Sequence, residues 1–330
     1  MKSVSRSLKW LLCSCLLAVP TWVSAQEKLP VIRVGWGIPA EEAKYWLMRR
    51  PQAFPNLGTK YQIEWVQFQG TAPQVQAMLA GALDCSSQAP LSLGQGATAS
   101  GLDAYIVAQH VGEQPGSFSV YWAVTEDSPI KTIADVRGKT VGVNVYGSGV
   151  HGQMAMLLKR HGVDPEKEIR LVETGFPGSE TALRTGRVDV AVMNQPFAAR
   201  AEGKGGVRKL FALSDLMPNT VHIMEVCKKD FVDANPELAR LYVRDLTAAM
   251  KMALNNRDET LKVVSEVTRA PVDVLDLYLL KDNDFARTPG ARPDFDGVQE
   301  MFRMYHEIGM LPRELDVNQF RRDDVTAPLE

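Results

Sequence analysis

The sequence predicts an α/β protein built as two similar lobes that face each other across a cleft. Three observations point there. Through the first two thirds of the chain, apolar runs of strand length alternate with helical patterns, as they do in mainly parallel sheets flanked by helices. A short motif also recurs: Phe68-Gln69-Gly70 and Phe176-Pro177-Gly178 each end a strand, and after each a short helix leads to Gly81-Ala82-Leu83-Asp84 or Gly186-Arg187-Val188-Asp189. Both copies put a glycine at a helix end and an aspartate in the strand that follows. Finally, 330 residues exceed what one compact core usually holds, so two domains are the natural division.

Taken in order, the chain opens with Lys2, Arg6 and Lys9, then the apolar run Trp10 to Val19, then Val23-Ser24-Ala25. A basic front, a short apolar middle and small residues at the cut predict a secretory leader over 1–25, cleaved after Ala25, and a mature protein outside the cytoplasm. The apolar middle is too short to anchor in a bilayer, and no later stretch reaches membrane-spanning length. Strands are expected at Val31 to Val34, Gln62 to Phe68, Ala104 to Val107, Val120 to Val124, Thr140 to Val145, Ile169 to Val172 and Val188 to Val192. Helices are expected at Glu41 to Met48, Pro73 to Ala80, Leu91 to Ala99, Val150 to Arg160 and Glu180 to Arg184. Beyond Asn235, an N-cap residue with Pro236 at the first helical position, a helical period through Leu238, Leu241, Tyr242, Leu246 and Met250 predicts a helical final third. Asp282-Asn283-Asp284 is too short for a calcium loop and reads as a solvated connection.

Charge narrows the partners. Lys and Arg number 37 against 39 Asp and Glu, and loss of the leader removes only positive charges. Nucleic acids and anionic membranes call for a basic face, so neither is expected as a partner. The five histidines show no metal-binding spacing, and neither a metal nor a cofactor is expected. Two cysteines, Cys85 and Cys227, remain in the mature chain; export permits a disulfide, and two buried thiols are the alternative.

The segment with the most chemistry runs from Thr140 to Gly152. An apolar strand leads through Gly147-Ser148-Gly149 into a helix, which leaves backbone N–H groups free at a helix start where the dipole favours an anion. Gly147 to Gly152 also has the glycine spacing of a dinucleotide loop, with Glu173 downstream, but an exported chain enters a compartment poor in nicotinamide cofactors, so an anion cradle is the expectation. Ser148 and His151 lie within one helical turn with no third residue to orient the histidine, which argues against a nucleophile.

Ser128 to Val143, with the sequence Ser-Pro-Ile-Lys-Thr-Ile-Ala-Asp-Val-Arg-Gly-Lys-Thr-Val-Gly-Val, resembles the corresponding stretch of ABC-transporter substrate-binding proteins of the nitrate, sulfonate and taurine group. Gly70 with Val75, Gly81 to Asp84, Gly162-Val163-Asp164-Pro165, Gly186, Val188-Asp189, Pro196 and Asn235-Pro236-Glu237 extend the likeness over nearly all of the mature chain. The resemblance implies a type II periplasmic binding protein: two α/β lobes joined by two crossing segments, closing on ligand. Lobe I would comprise 26–115 and 220–330 and lobe II 116–219, with the chain crossing near Gln114 to Val120 and returning near Ser214 to Ile223. The implied activity is capture of a small organic anion, a sulfonate, taurine-like compound or carboxylate, and delivery by a monomer to a membrane permease, with no catalytic residues. The alternative is an enzyme on the same fold, of the kind that makes the thiamine pyrimidine, which expects an iron site or a lysine–histidine pair. Relatives often carry an acid before the proline that follows Asp189; here the neutral Asn194-Gln195-Pro196 stands there.

Expected ligand contacts follow. Gly147, Ser148 and Gly149 would cradle the anion from lobe II, and Gln69, Gly70, Thr71, Ser87, Gln88, Asn194 and Gln195 would supply polar contacts. Ser86 to Gln88 have a second reading as the cap of the helix after Leu91. Trp36, Tyr146 and Phe176, at strand ends, would form an apolar slot, whereas Tyr45 and Trp46 on a helix belong to the core.

Overall fold

The computed structural model describes residues 28–328. The leader expected over 1–25 lies outside them. Lobe I begins with β1 (Val31–Trp36), α1 (Glu42–Arg49), β2 (Gln62–Gln67), α2 (Ala72–Leu79), β3 (Cys85–Gln88), α3 (Pro90–Ala99) and β4 (Ala104–Glu113). Lobe II follows as β5 (Tyr121–Thr125), β6 (Thr140–Val143), α4 (Gly149–Arg160), β7 (Arg170–Glu173), α5 (Gly175–Arg184), β8 (Ala191–Met193), α6 (Phe197–Lys204) and β9 (Val207–Ala212). The chain then returns as β10 (Thr220–Lys228) and ends in helices α7 (Lys229–Ala234), α8 (Pro236–Asn255), α9 (Arg257–Thr268), α10 (Val272–Asp276) and α11 (Phe295–Glu307). No helix among the described residues is long and apolar enough to cross a membrane.

The two sheets share one topology. Lobe I has the order β2-β1-β3-β10-β4, with β1, β2 and β3 parallel and β10 antiparallel to both its neighbours. In lobe II, β6 and β7 are parallel, β5 runs antiparallel between β8 and β9, and a Val141–Val190 bridge joins the two groups into β7-β6-β8-β5-β9. In each lobe the antiparallel strand is the one that has just arrived from the other. The internal repeat has a matching physical cause: Asp84 Oδ2 accepts the N–H of Arg33 in β1 at 2.8 Å, and Asp189 Oδ2 accepts the N–H of Thr140 in β6 at 2.8 Å. Each aspartate thus pins the third parallel strand of its lobe to the first parallel one, β3 to β1 and β8 to β6, with a charge-assisted bond. Gly81 and Gly186, at φ +71° and +70°, make the left-handed helix ends just upstream.

Three stretches differ from the sequence expectation. β3, β9 and β10 had no strand signal, because β3 reads Cys-Ser-Ser-Gln and β10 carries His222 and Glu225 in mid-strand. Residues this polar are tolerated in a buried strand only with partners. Phe176 lies in the first turn of α5, not at a strand end. Asn235 leaves α8 without a side-chain cap, since its amide donates to the Phe231 carbonyl of α7.

Cys85 and Cys227 face each other across β3 and β10 and form a disulfide, so the reading as two thiols is set aside. The strands that cross between lobes are also tied together: Ser214 N–H donates to Ser119 Oγ at 2.9 Å, and Val120 N–H to Glu113 Oε1 at 2.9 Å. α11 packs against α3 of lobe I and α4 of lobe II.

Candidate functional site

Loops at the carboxyl ends of both sets of parallel strands enclose a cavity between the lobes, where open α/β sheets bind their ligands. Lobe I contributes Gly37 to Glu41 after β1, Gln69 to Thr71 after β2, Ala89 after β3, and His222 and Ile223 from β10. Lobe II contributes Asn144 after β6, Ser148 to Val150 at the start of α4, Phe176 and Asn194. The cavity has a volume of about 60 Å³, enough for roughly four to six waters. That suits a small molecule and is far too tight for a dinucleotide.

Glycines let the two lobes meet over it. A β-carbon at Gly149 would stand 2.5 Å from the Ala89 side chain across the cleft, and one at Gly70 would stand 2.8 Å from Ser148 Oγ. Both distances are shorter than real contacts allow, so the lobes are closed here; at Gly149 the rigid Ala89 β-carbon leaves room for glycine alone, whereas at Gly70 the Ser148 hydroxyl would have to turn away.

The wall is rich in unmet polar atoms. Thr71 Oγ1, Ser148 Oγ, Asn144 Oδ1, Asn194 Oδ1 and Glu41 Oε2 are buried without a hydrogen-bond partner. Buried polar groups are nearly always paired, so five orphans around one cavity mark the place of a polar ligand. At the start of α4, no acceptor among the described residues takes the N–H of Gly149 or Val150, and both residues line the cavity. Among the described residues no lysine or arginine lines it; the charged or titratable ones in the wall are Glu41 and His222.

Each of these two has a buried network behind it. His222 Nε2 lies 2.6 Å from Glu113 Oε1, which also holds the crossing segment. Glu41 accepts the Gly37 N–H through Oε1 at 3.0 Å, while Oε2 lies 3.3 Å from the Lys44 ammonium. Lys44 Nζ donates to Gly35 O at 2.7 Å and Ser87 Oγ at 2.6 Å and lies 2.7 Å from Glu225 Oε2. Burial pushes the Glu225 carboxyl up, but Lys44 and His110 together outweigh it and hold it below the ordinary value. Cys85, Glu225 and Cys227 are also brought within 4.8 Å of one another, but both sulfurs are in the disulfide and cannot ligate a metal.

Of the expected contacts, Gln69, Gly70, Thr71, Ser148, Gly149, Phe176 and Asn194 line the cavity. Trp36, Ser87, Gln88, Tyr146, Gly147 and Gln195 do not, and each has another employment. Trp36 meets Tyr45 edge-on within the lobe I core. Ser87 accepts from Lys44, and Gln88 bridges Ser86 and Ser92, the serine that takes the Ala89 N–H at the start of α3. Gln195 Oε1 accepts the Ala199 N–H in α6. Tyr146 is 45% exposed, with its hydroxyl donating to Leu171 O, so it points along the outside of lobe II. Gly147 makes the turn at φ +73° and donates its N–H to His151 Nδ1.

Glu173 Oε1 accepts the Tyr146 N–H, a role within the turn that leaves nothing of the dinucleotide pattern. Asp284 is not solvated: it is buried against Arg287 and accepts the Leu280 and Phe285 N–H groups, which seats Phe285 in the cavity wall. Sequence reasoning missed Glu41, Asn144, His222 and Phe285. A polar Asn144 at the end of an apolar strand was the available signal for one of them; His222 was hidden with β10 itself.

A family model for NMT1/THI5-like proteins matches residues 62–260, from β2 into α9. The chain belongs to the NMT1/THI5-like family. This family member is 23% identical over 308 residues, 92% of each chain, to an Escherichia coli K12 protein provisionally described as binding aliphatic sulfonates. Its fold is similar to that of the alkanesulfonate-binding protein SsuA of Xanthomonas axonopodis pv. citri, solved with MOPS bound, at a TM-score of 0.71 and 18% identity over 88% of this chain and 98% of that one. The periplasmic nitrate-binding protein NrtA of Synechocystis PCC 6803 matches at a TM-score of 0.72 and 13% identity, over 90% of this chain and 87% of its own. The NMT1/THI5-like chain therefore has the periplasmic binding protein fold, with two α/β lobes.

Proposed function

We propose that this protein is the periplasmic solute-binding component of an ABC importer, capturing a small organic anion of the sulfonate or carboxylate class and presenting it to a membrane permease. One observation carries the reading: in a closed cavity between lobes, the orphaned hydroxyls of Thr71 and Ser148 and the free N–H groups of Gly149 and Val150 converge on a space of small-molecule size. Such donors at a helix start suit an oxyanion without a cationic side chain. The similarity to sulfonate- and nitrate-binding proteins supports the same class.

On this reading the leader is 1–25, lobe I is 26–115 with 220–330, lobe II is 116–219, and the protein acts as an exported monomer without catalytic residues. The pyrimidine-synthesis alternative wants a lysine free to carry a cofactor, whereas Lys44 beside the cavity is fully buried and held by three acceptors. A thermal-shift screen of small sulfonates, carboxylates and nitrate tests the proposal. A ligand at 100 times its Kd adds about 2.7 kcal/mol of stability, and a screen in which no anion raises the melting temperature would sink it. Intact-mass measurement of protein recovered from the periplasm should give a chain starting at Gln26; one still starting at Met1 would overturn the export reading.

A further inference from the structure

β10 carries a bulge where it runs beside β4. Val221 pairs with Gly112 and Ile223 with Val111, so His222 is an extra residue between two consecutive partners. Bulges re-aim side chains, and this one sets His222 in the cavity wall next to Phe285, whose ring meets the imidazole edge-on at 5.7 Å. Gly112 opposite permits it, because a β-carbon there would stand 2.4 Å from Thr220 O.

The ring is held from behind. Nε2 lies 2.6 Å from Glu113 Oε1 and 3.4 Å from Thr220 Oγ1. Glu113 is buried, stands outside the cavity wall, and has His222 as its one salt-bridge partner among the described residues. A carboxylate only accepts, so Nε2 carries a proton and Nδ1 is the nitrogen left for a ligand. In a neutral ring Nδ1 is a lone pair, which an oxyanion avoids; in an imidazolium it is an N–H donor. Other charged groups around β10 are already engaged: Glu41 with Lys44, Glu225 with Lys44 and His110, Asp284 with Arg287, and Asp294 with the Gly297 N–H. The reciprocal pair, His110 of β4 against Glu225 of β10, is sealed away from the cavity.

On the small-anion reading of the cavity, on which this inference rests, we propose that His222 is the cationic anchor of the site and that capture of the anion is coupled to uptake of one proton. The proton comes from solvent onto Nδ1, which then donates to the ligand, while Nε2–H keeps its bond to Glu113. The charge that the wall lacks is thus made on binding. Because Glu113 also takes the Val120 N–H, it is made where the chain crosses between lobes.

Calorimetric titration at pH 8 with nitrate, ethanesulfonate and propanoate, anions that stay ionised throughout, tests this. Tris and triethanolamine serve as buffers, since they differ in ionisation enthalpy and carry no anionic group. A free imidazole is ordinarily neutral at that pH, so the best-bound probe should take up about 0.5–1 proton, and its affinity should fall roughly 3- to 10-fold from pH 7.5 to 8.5. His222→Gln keeps a donor for Glu113 but cannot be charged, and should abolish both the uptake and the pH dependence. Nitrogen-15 spectra of the histidine rings need no variant: the same probe at pH 8 should convert one neutral ring to imidazolium. Binding without proton uptake, or with no ring converted, overturns this inference and leaves the anion reading intact. Uptake that survives in a folded His222→Gln protein assigns the proton to Glu41 and also overturns it. No binding by any of the three probes overturns both readings.

Discussion

A methyl group at position 149 would occupy space already filled by Ala89 of the other lobe. Gly149→Ala should therefore leave each lobe folded and keep the two apart, and calorimetry should show affinity down at least about tenfold with little change in melting temperature. Ser148→Ala removes only a hydroxyl, with an expected loss of about 0.5–1.5 kcal/mol if its acceptor is neutral and about 1.5–3 if it is charged; parent-like affinity would move the oxyanion elsewhere. His151 behaves differently again. Burial lowers its pKa from the ordinary 6.5, outweighing Glu173, so the folded ring stays neutral and Nδ1 can accept from Gly147. Below 6.5 the unfolded chain takes up a proton that the folded chain still refuses, so acidification through that window favours unfolding. Melting temperature should fall between pH 7 and about 5.5, and by less in His151→Gln. Ser148, Gly149 and Thr71 were legible because a hydroxyl or glycine between strand and helix has a local meaning. Glu41 was not, since an acid at a helix start has an ordinary local meaning, and only the folded loop after β1 places it in the cavity wall.

At the scale of elements, the repeat was readable and the strand between β3 and β4 in lobe I was not. Gly81 to Asp84 and Gly186 to Asp189 announce themselves because a left-handed glycine and a pinning aspartate are both demanded locally. β10 escaped because Glu225 and His222 look like surface residues until Lys44, His110 and Glu113 are placed beside them. The spacing of Cys85 and Cys227, 142 residues apart, likewise carried no sign of their pairing. The disulfide joins β3 to β10, so reduction, or Cys85→Ser with Cys227→Ser, should lower unfolding stability by about 2–5 kcal/mol in denaturant titration. An unchanged midpoint on reduction would mean that the ladder alone holds these strands.

For the whole molecule, the glycine contacts across the cleft describe a closed arrangement, and on the proposed clamp reading opening is expected at the tied segments around Ser119 and Ser214. Small-angle scattering should give a smaller radius of gyration with a bound ligand than without; identical profiles at saturation would argue against a hinge. The exchange of strands between lobes has a further effect on how the chain assembles. Lobe II closes its sheet within the contiguous stretch from Tyr121 to Ala212. Lobe I cannot, because β3 and β4 lack the strand between them until Thr220 to Lys228 has been made and has come back. Contacts so distant in sequence form late. A chain emerging from its amino terminus should thus complete its second lobe before its first, leaving the half that begins the protein as the half that waits, with two bare strand edges exposed to aggregation in the interval.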